Sequence, residues 1–166
     1  MHILIQSTLH TLQNANILLT LLSNSDLSNS SAAPYYSSIG THIRHILDFY
    51  DCILTPENKI DLTARRRLMS VETNCASAII YFEELQEKLR AIDSKTLNRI
   101  VLVTDDLGLG KTEIKYTFSA LLAQANSHTI HHYAIINYIL DGLGISIEDK
   151  TFGYNPTTPK SEINLT

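Results

Sequence analysis

The sequence is poor in residues that staple, punctuate or anchor a chain. Its 166 residues include two cysteines, Cys52 and Cys75, with no CxxC spacing. That excludes a disulfide scaffold and makes a cytoplasmic chain with reduced thiols the expectation. No apolar run approaches the roughly 20 residues of a membrane-spanning helix. No Lys or Arg precedes the apolar start at Ile3-Leu4-Ile5, so neither a membrane nor a secretory signal is expected. Charged residues make up only 18%, with a net charge of −4, which argues against a nucleic-acid binder working through a broad basic face. No internal repeat or low-complexity linker divides the chain. Residues 1–166 therefore read as one domain, and a hydrophobic content of 44% is enough for a sizeable core.

The six glycines and four prolines are clustered, which leaves four long segments with a helical apolar period. The first runs from about His2 to Ser23 through Ile5, Leu9, Leu12, Ala15, Leu19 and Leu22. It ends in the polar tract Ser23–Ser31, read as a loop because Ser, Asn and Asp side chains compete for backbone hydrogen bonds. The second starts near Ser38 or Gly40 and continues through Thr55, before Pro56. The third is expected from about Ala64 to Ile92, and the fourth from about Thr117 to Leu143, before Gly144. Between the last two, the β-branched Arg99–Thr104, a turn-forming Asp105–Gly110 and Ile114–Thr117 suggest a small hairpin. The expected fold is all-α: a four-helix bundle with a long connection, carrying that hairpin, between its third and fourth helices.

Seven histidines are present, and five of them lie in two helical segments: His42 and His45 in the second, His128, His131 and His132 in the fourth. The fourth helix's apolar seam reads Phe118, Leu121, Ala125, His128, His132, Ile135 and Ile139, so two imidazoles fall on the seam itself. A buried imidazole needs partners for its nitrogens, and core packing supplies no reason for two. The i,i+4 spacing of His128 and His132 lets one helix offer two nitrogens to one metal, and the second helix offers a third from His42 or His45. His2 and His10 read as surface residues. His131 lies off the seam and reads as a surface group or a partner to a ligand.

The stretches Ser38-Ile39-Gly40-Thr41-His42-Ile43-Arg44-His45-Ile46-Leu47 and Ser127-His128-Thr129-Ile130-His131-His132-Tyr133-Ala134-Ile135-Ile136 resemble the DinB/YfiT-like superfamily of metal-dependent enzymes. The ending Phe152-Gly153-Tyr154-Asn155-Pro156-Thr157-Thr158 is similar to the tail of one branch. The resemblance implies a four-helix bundle, often a homodimer, holding a divalent metal, usually zinc or nickel, through His45, His128 and His132. It also implies a small-molecule substrate and, in some relatives, a low-molecular-weight thiol such as bacillithiol or mycothiol. Where many relatives follow the histidine pair with Gly-Gln, this chain has Tyr133-Ala134.

Three neutral imidazoles leave a dipositive ion with an open position, the arrangement of a catalytic site that activates water or a thiol. The resulting expectation is a hydrolase or a thiol-dependent transferase; the alternative is a non-enzymatic metal-binding or dimerisation bundle. Asp48, three residues after His45, is either a partner orienting an imidazole or an exposed carboxylate. Cys52 reads as a buried structural thiol. Arg65-Arg66-Arg67 either meet an anionic substrate or form a solvated basic turn, and Glu72 either faces the site or pairs with them. Asp105-Asp106-Leu107-Gly108-Leu109-Gly110-Lys111-Thr112 is similar to the phosphate-binding loop of helicase-type ATPases, although Asp105 stands where the general pattern has Gly. Nucleotide binding at Asp105–Thr112 is therefore a remote further reading.

Overall fold

The computed structural model describes residues 1–159. Helix α1 (Ile3–Leu21) opens at His2, whose Nδ1 accepts the Leu4 N–H. A single turn, α2 (Asn24–Ser28), lies within the tract expected to be a loop. There the Ser23 hydroxyl accepts from Asp26 N–H while the Asp26 carboxylate accepts from Ser23 N–H, a reciprocal cap. Helix α3 (Ile39–Ile53) is capped by Ser38, α4 (Cys75–Arg90) by Asn74, α5 (Ser94–Asn98) by Asp93 and α6 (Phe118–Gly142) by Thr117. Each cap satisfies an N–H that the first helical turn leaves without a partner.

The long helices sort by their apolar faces. α1 lies against α4 and α6, and α3 lies against α6 and α4. Between them runs a core that includes Leu12, Ile43, Leu47, Tyr50, Phe82, Leu121 and Tyr133, all nearly or fully buried. Behind α6 the tail folds back: Phe152 stacks on Tyr133 with ring centroids 4.8 Å apart. Gly153, at φ 81°, lies close against the backbone of Tyr133 and Ala134, where a Cβ would collide. No helix among the described residues is long and apolar enough to cross a membrane.

The all-α four-helix bundle is not what forms. The described residues hold six helices and a three-stranded mixed sheet, a mixed α/β architecture. Strands β2 (Ile100–Asp106) and β3 (Lys111–Thr117) are the expected hairpin, longer than its sequence suggested, pairing antiparallel with Val103 opposite Ile114. A third strand, β1 (Lys59–Asp61), pairs parallel to β2 with Ile60 opposite Val103. The sheet is part of the fold because the alternate residues of β2 point inward: Val101 and Val103, with Ile60 beside them, join the common core.

The expected third helix, about Ala64 to Ile92, is also shorter at its start. Residues before Cys75 form two 3-10 turns, Leu62–Ala64 and Met69–Glu72, with an extended link between them. The Asp61 carboxylate fixes the first turn by accepting from the Thr63 N–H and hydroxyl. Buried Leu62 and Val71 then pin the segment to the core. With both residues held in the core the segment runs as turns, and Asn74 starts a helix at Cys75.

Gly40, in the first turn of α3, sits directly against the backbone of Glu72. A Cβ there would overlap the Glu72 carbonyl, and neither backbone can give way cheaply. Gly40→Ala is expected to cost about 2–3 kcal/mol by overpacking, lowering the thermal midpoint by about 5–10 °C. A midpoint within 1–2 °C of the parent would contradict a tight backbone contact at Gly40.

Candidate metal centre

The face of α6 beside the core carries the site. Its deepest line is Leu122, Ala125, Thr129, Tyr133 and Ile136, all buried. His128 and His132 therefore lie on the neighbouring stripe, half-buried, rather than on the innermost seam. Thr129 shares its hydroxyl with the Ala125 carbonyl and the Tyr50 hydroxyl, which ties α6 to α3 at this level. α3 turns a matching stripe toward the pair: His42, His45 and, one turn on, Phe49. The offset matters, because a half-buried ring can be dry on one edge and reachable on another.

Three Nε2 atoms converge. His45 Nε2 lies 2.8 Å from His128 Nε2, and His132 Nε2 lies 3.1 Å from His128 Nε2. One ligand atom from each of His45, His128 and His132 lies within 4.8 Å of the other two, close enough for all three to share one metal ion. They are the three residues expected from the sequence. The alternative ligand, His42, is placed differently. Its Nδ1 is 2.8 Å from His132 Nδ1, on the side of that ring facing away from the cluster, and its Nε2 is 2.9 Å from the Ser37 hydroxyl.

Ligation of an ion by His132 would set the tautomers along this chain of contacts. If His132 presents the lone pair of Nε2 to an ion, its proton is on Nδ1 and is donated to His42 Nδ1. His42 then carries its own proton on Nε2 and donates it to Ser37. A histidine ligand is commonly oriented in this way through its second nitrogen.

The electrostatics keep the imidazoles neutral. Burial, followed by the proximity of His128 and Arg65, pushes His45 down to about 4. Burial and then the neighbouring His45 and His128 push His132 down to about 3. Burial lowers His42 and His128 as well. A neutral imidazole is the form that donates a lone pair.

Other candidates are elsewhere. Asp48 is 1% exposed, but it accepts from Arg44 Nη1 at 3.0 Å and orients no imidazole. Burial raises its pKa above the usual carboxylate range, against the pull of Arg44. Glu72 pairs with Arg44 rather than with the arginine triplet. Cys52 is unpaired and donates to the Asp61 carbonyl at 3.4 Å; burial raises its thiol pKa, so it is no activated nucleophile. His2 and His10 are exposed and remote from the cluster, while the exposed His131 packs its ring 5.5 Å from that of His132.

The Asp105–Thr112 motif closes the hairpin between β2 and β3, and the chain leaves it as a strand rather than a helix. The Asp106 carboxylate accepts from the N–H groups of Gly108 and Gly110, so both glycine donors of the loop are taken up internally. Lys111 faces Asp61 at 3.7 Å. The geometry is that of a turn and gives no phosphate cradle.

Compared with protein-family models, with curated proteins and with solved structures, the chain matches none. The geometry of the imidazoles is therefore what any functional reading stands on.

Two outcomes follow for this cluster. Removing the ring that orients His132, by His42→Ala, is expected to weaken metal binding about 10–100-fold without abolishing it; an unchanged dissociation constant by competition with a chelator would sink the orienting role. The second concerns pH. Because His45 and His132 titrate in the folded chain well below their ordinary 6.5, the unfolded chain takes up protons that the folded one refuses. Metal-free protein should thus lose stability as pH falls from about 6.5 toward about 4, and His132→Asn should show a shallower loss over the same window. Parallel profiles of thermal midpoint against pH would contradict this.

Proposed function

We propose that the chain is a metal-dependent enzyme of the DinB/YfiT-like type, with His45, His128 and His132 as the ligands of a divalent metal, zinc or nickel. The carrying observation is the convergence of three Nε2 atoms from two helices, with the far nitrogen of His132 already engaged by His42. An all-imidazole donor set suits zinc and nickel. The family reading rests on the histidine spacing in α3 and α6, while the three-stranded sheet departs from the four-helix bundle that the resemblance implies.

Three protein donors favour catalysis over a purely structural role. Structural zinc sites are closed by four protein ligands, while catalytic ones keep a position for water or substrate. Among the described residues the cluster comprises three groups, and its rings are half-buried rather than sealed. A divalent ion held there supplies Lewis acidity at which water or a thiol loses its proton near neutral pH. The residues' own contribution is to hold three neutral donors in register, with α6 giving two from successive turns and α3 the third. The substrate class is a small molecule, and the reaction is a hydrolysis or a thiol-dependent transfer.

His132→Ala is the test. Stoichiometric binding of zinc or nickel, measured by elemental analysis of dialysed protein, should be lost while the far-ultraviolet circular dichroism stays close to that of the parent. Retained one-to-one occupancy in this variant would remove the ligand assignment and with it the proposed activity.

A further inference from the structure

The arginine triplet belongs partly to this site. Arg65 follows the 3-10 turn that Asp61 caps, and its guanidinium carbon lies 5.8 Å from the centre of the Phe49 ring. The Phe49 ring lies 5.5 Å from that of His128. Phe49 thus forms a short apolar step between the guanidinium and the imidazole cluster. Arg65 is partly buried, whereas Arg66 and Arg67 are exposed.

Partial burial without a partner sets Arg65 apart; among the described residues Arg66, Arg67, Lys59, Lys95, Lys115 and Lys150 also lack one, but they are exposed. Arg44 is paired with Asp48 and Glu72, Lys88 with Asp51 and Lys111 with Asp61. Arg90 donates to Gln86, and Arg99 to the carbonyls of Thr55 and Pro56. Among the described residues Arg65 has no carboxylate within salt-bridge distance and donates no side-chain hydrogen bond. Its charge is nevertheless felt at His45, His128 and Cys52. Three neutral ligands leave a divalent ion's charge uncancelled, and Arg65 adds another positive charge beside it. Asp105, which acts on His128 in the opposite sense, is the acidic group facing this ring, and one carboxylate does not balance the sum.

We propose that Arg65 is the anchor for an anionic group, a carboxylate or phosphate, on the small molecule that this centre acts upon. The proposal rests on the metal-site reading above and adds the substrate's charge to it. A guanidinium stacked on an aromatic ring keeps its N–H fork free at the edge, in the plane that suits two oxygens of an anion. Phe49 would then fix both the direction of the fork and the spacing between the anion and the reacting atom.

The experiment uses the full chain loaded with cobalt(II), whose thiolate charge-transfer absorption reports ligand binding at the metal. Two thiols of similar size are titrated, 3-mercaptopropionate and the uncharged 2-mercaptoethanol, into the parent protein and into Arg65→Gln and Arg65→Lys. Both bind as thiolates, so a general effect of the Arg65 charge on the metal cancels between them. Arg65→Gln is expected to weaken 3-mercaptopropionate about tenfold and 2-mercaptoethanol less than twofold, with cobalt stoichiometry kept. Arg65→Lys should restore part of the difference. Equal losses for both thiols, or no loss for either, would overturn the anchor while leaving the metal site standing. Failure of the parent to bind one cobalt would overturn both.

Discussion

Two imidazole nitrogens held about 3 Å from a third pose a problem of protons, and the rest of the site depends on how it is answered. Each Nε2 carries either a hydrogen or a lone pair. With its Nδ1 proton given to His42, His132 directs a lone pair at His128 Nε2, 3.1 Å away, while His45 Nε2 approaches the same atom to 2.8 Å. One Nε2–H on His128 cannot serve both neighbours at full strength. Protonating a second ring would bring a charge into a half-buried cluster already crowded with imidazoles and overlooked by Arg65, which is why His45 and His132 resist it. An ion that accepts all three lone pairs would satisfy the three Nε2 atoms at once. The arrangement is thus frustrated as a hydrogen-bonded cluster and consistent as a donor set.

The protein holds this geometry through packing that has no chemistry of its own. α3 and α6 are locked at the level of the cluster by Tyr50, Thr129 and Tyr133, all fully or nearly buried. The Tyr133 hydroxyl donates to the Thr11 carbonyl and so fastens α6 to α1 as well. On the opposite side of α3, Arg44 bridges buried Asp48 and Glu72, which ties the helix to the 3-10 turn at Met69–Glu72. Charges this deep give a directional restraint more than a net gain in stability. Gly40 brings the same two segments into backbone contact. The histidines ride on a helix fixed from both faces, so their rings need little ordering when an ion arrives.

Helical period in the sequence located α1, α3 and α6 to within about two residues, and spacing named His128 and His132 with either His42 or His45, the resemblance alone favouring His45. Those features are local, written in steps of three and four along one element. What escaped was set by contacts distant in sequence. Val71 sits within the stretch that reads as helix and Leu62 just ahead of it, yet each is drawn into the core, and the chain forms turns to deliver them. β1 is three residues long and exists through its pairing with β2, which no pattern within Lys59–Asp61 announces. Two misses did carry a local sign. Ser23 with Asp26, and Asn74 ahead of Ser77, are capping arrangements that mark helix starts. The seam of α6 holds at Phe118, Leu121, Ala125 and Ile139 but lies one residue further on through its middle, because Thr129 and Tyr133 look less apolar than they behave once their hydroxyls have partners.

Two segments show how charge and motif part company. The Gly-rich run ending in Gly110-Lys111-Thr112 has the composition of an anion cradle, yet its N–H groups close on the carboxylate of Asp106 and its lysine faces Asp61. Arg65-Arg66-Arg67 has the composition of a solvated basic turn, yet its first member lies over Phe49 at the edge of the imidazole cluster. The difference lies in whether each positive or N–H-rich group has met its counter-charge within the fold. A loop whose donors are internally satisfied has little left to offer a ligand, since binding would exchange one set of hydrogen bonds for another. A half-buried guanidinium without a carboxylate retains nearly all of its capacity. In a chain with net charge −4, a half-buried positive charge beside three imidazoles is a departure from the average surface, and it would favour small anions through charge rather than shape.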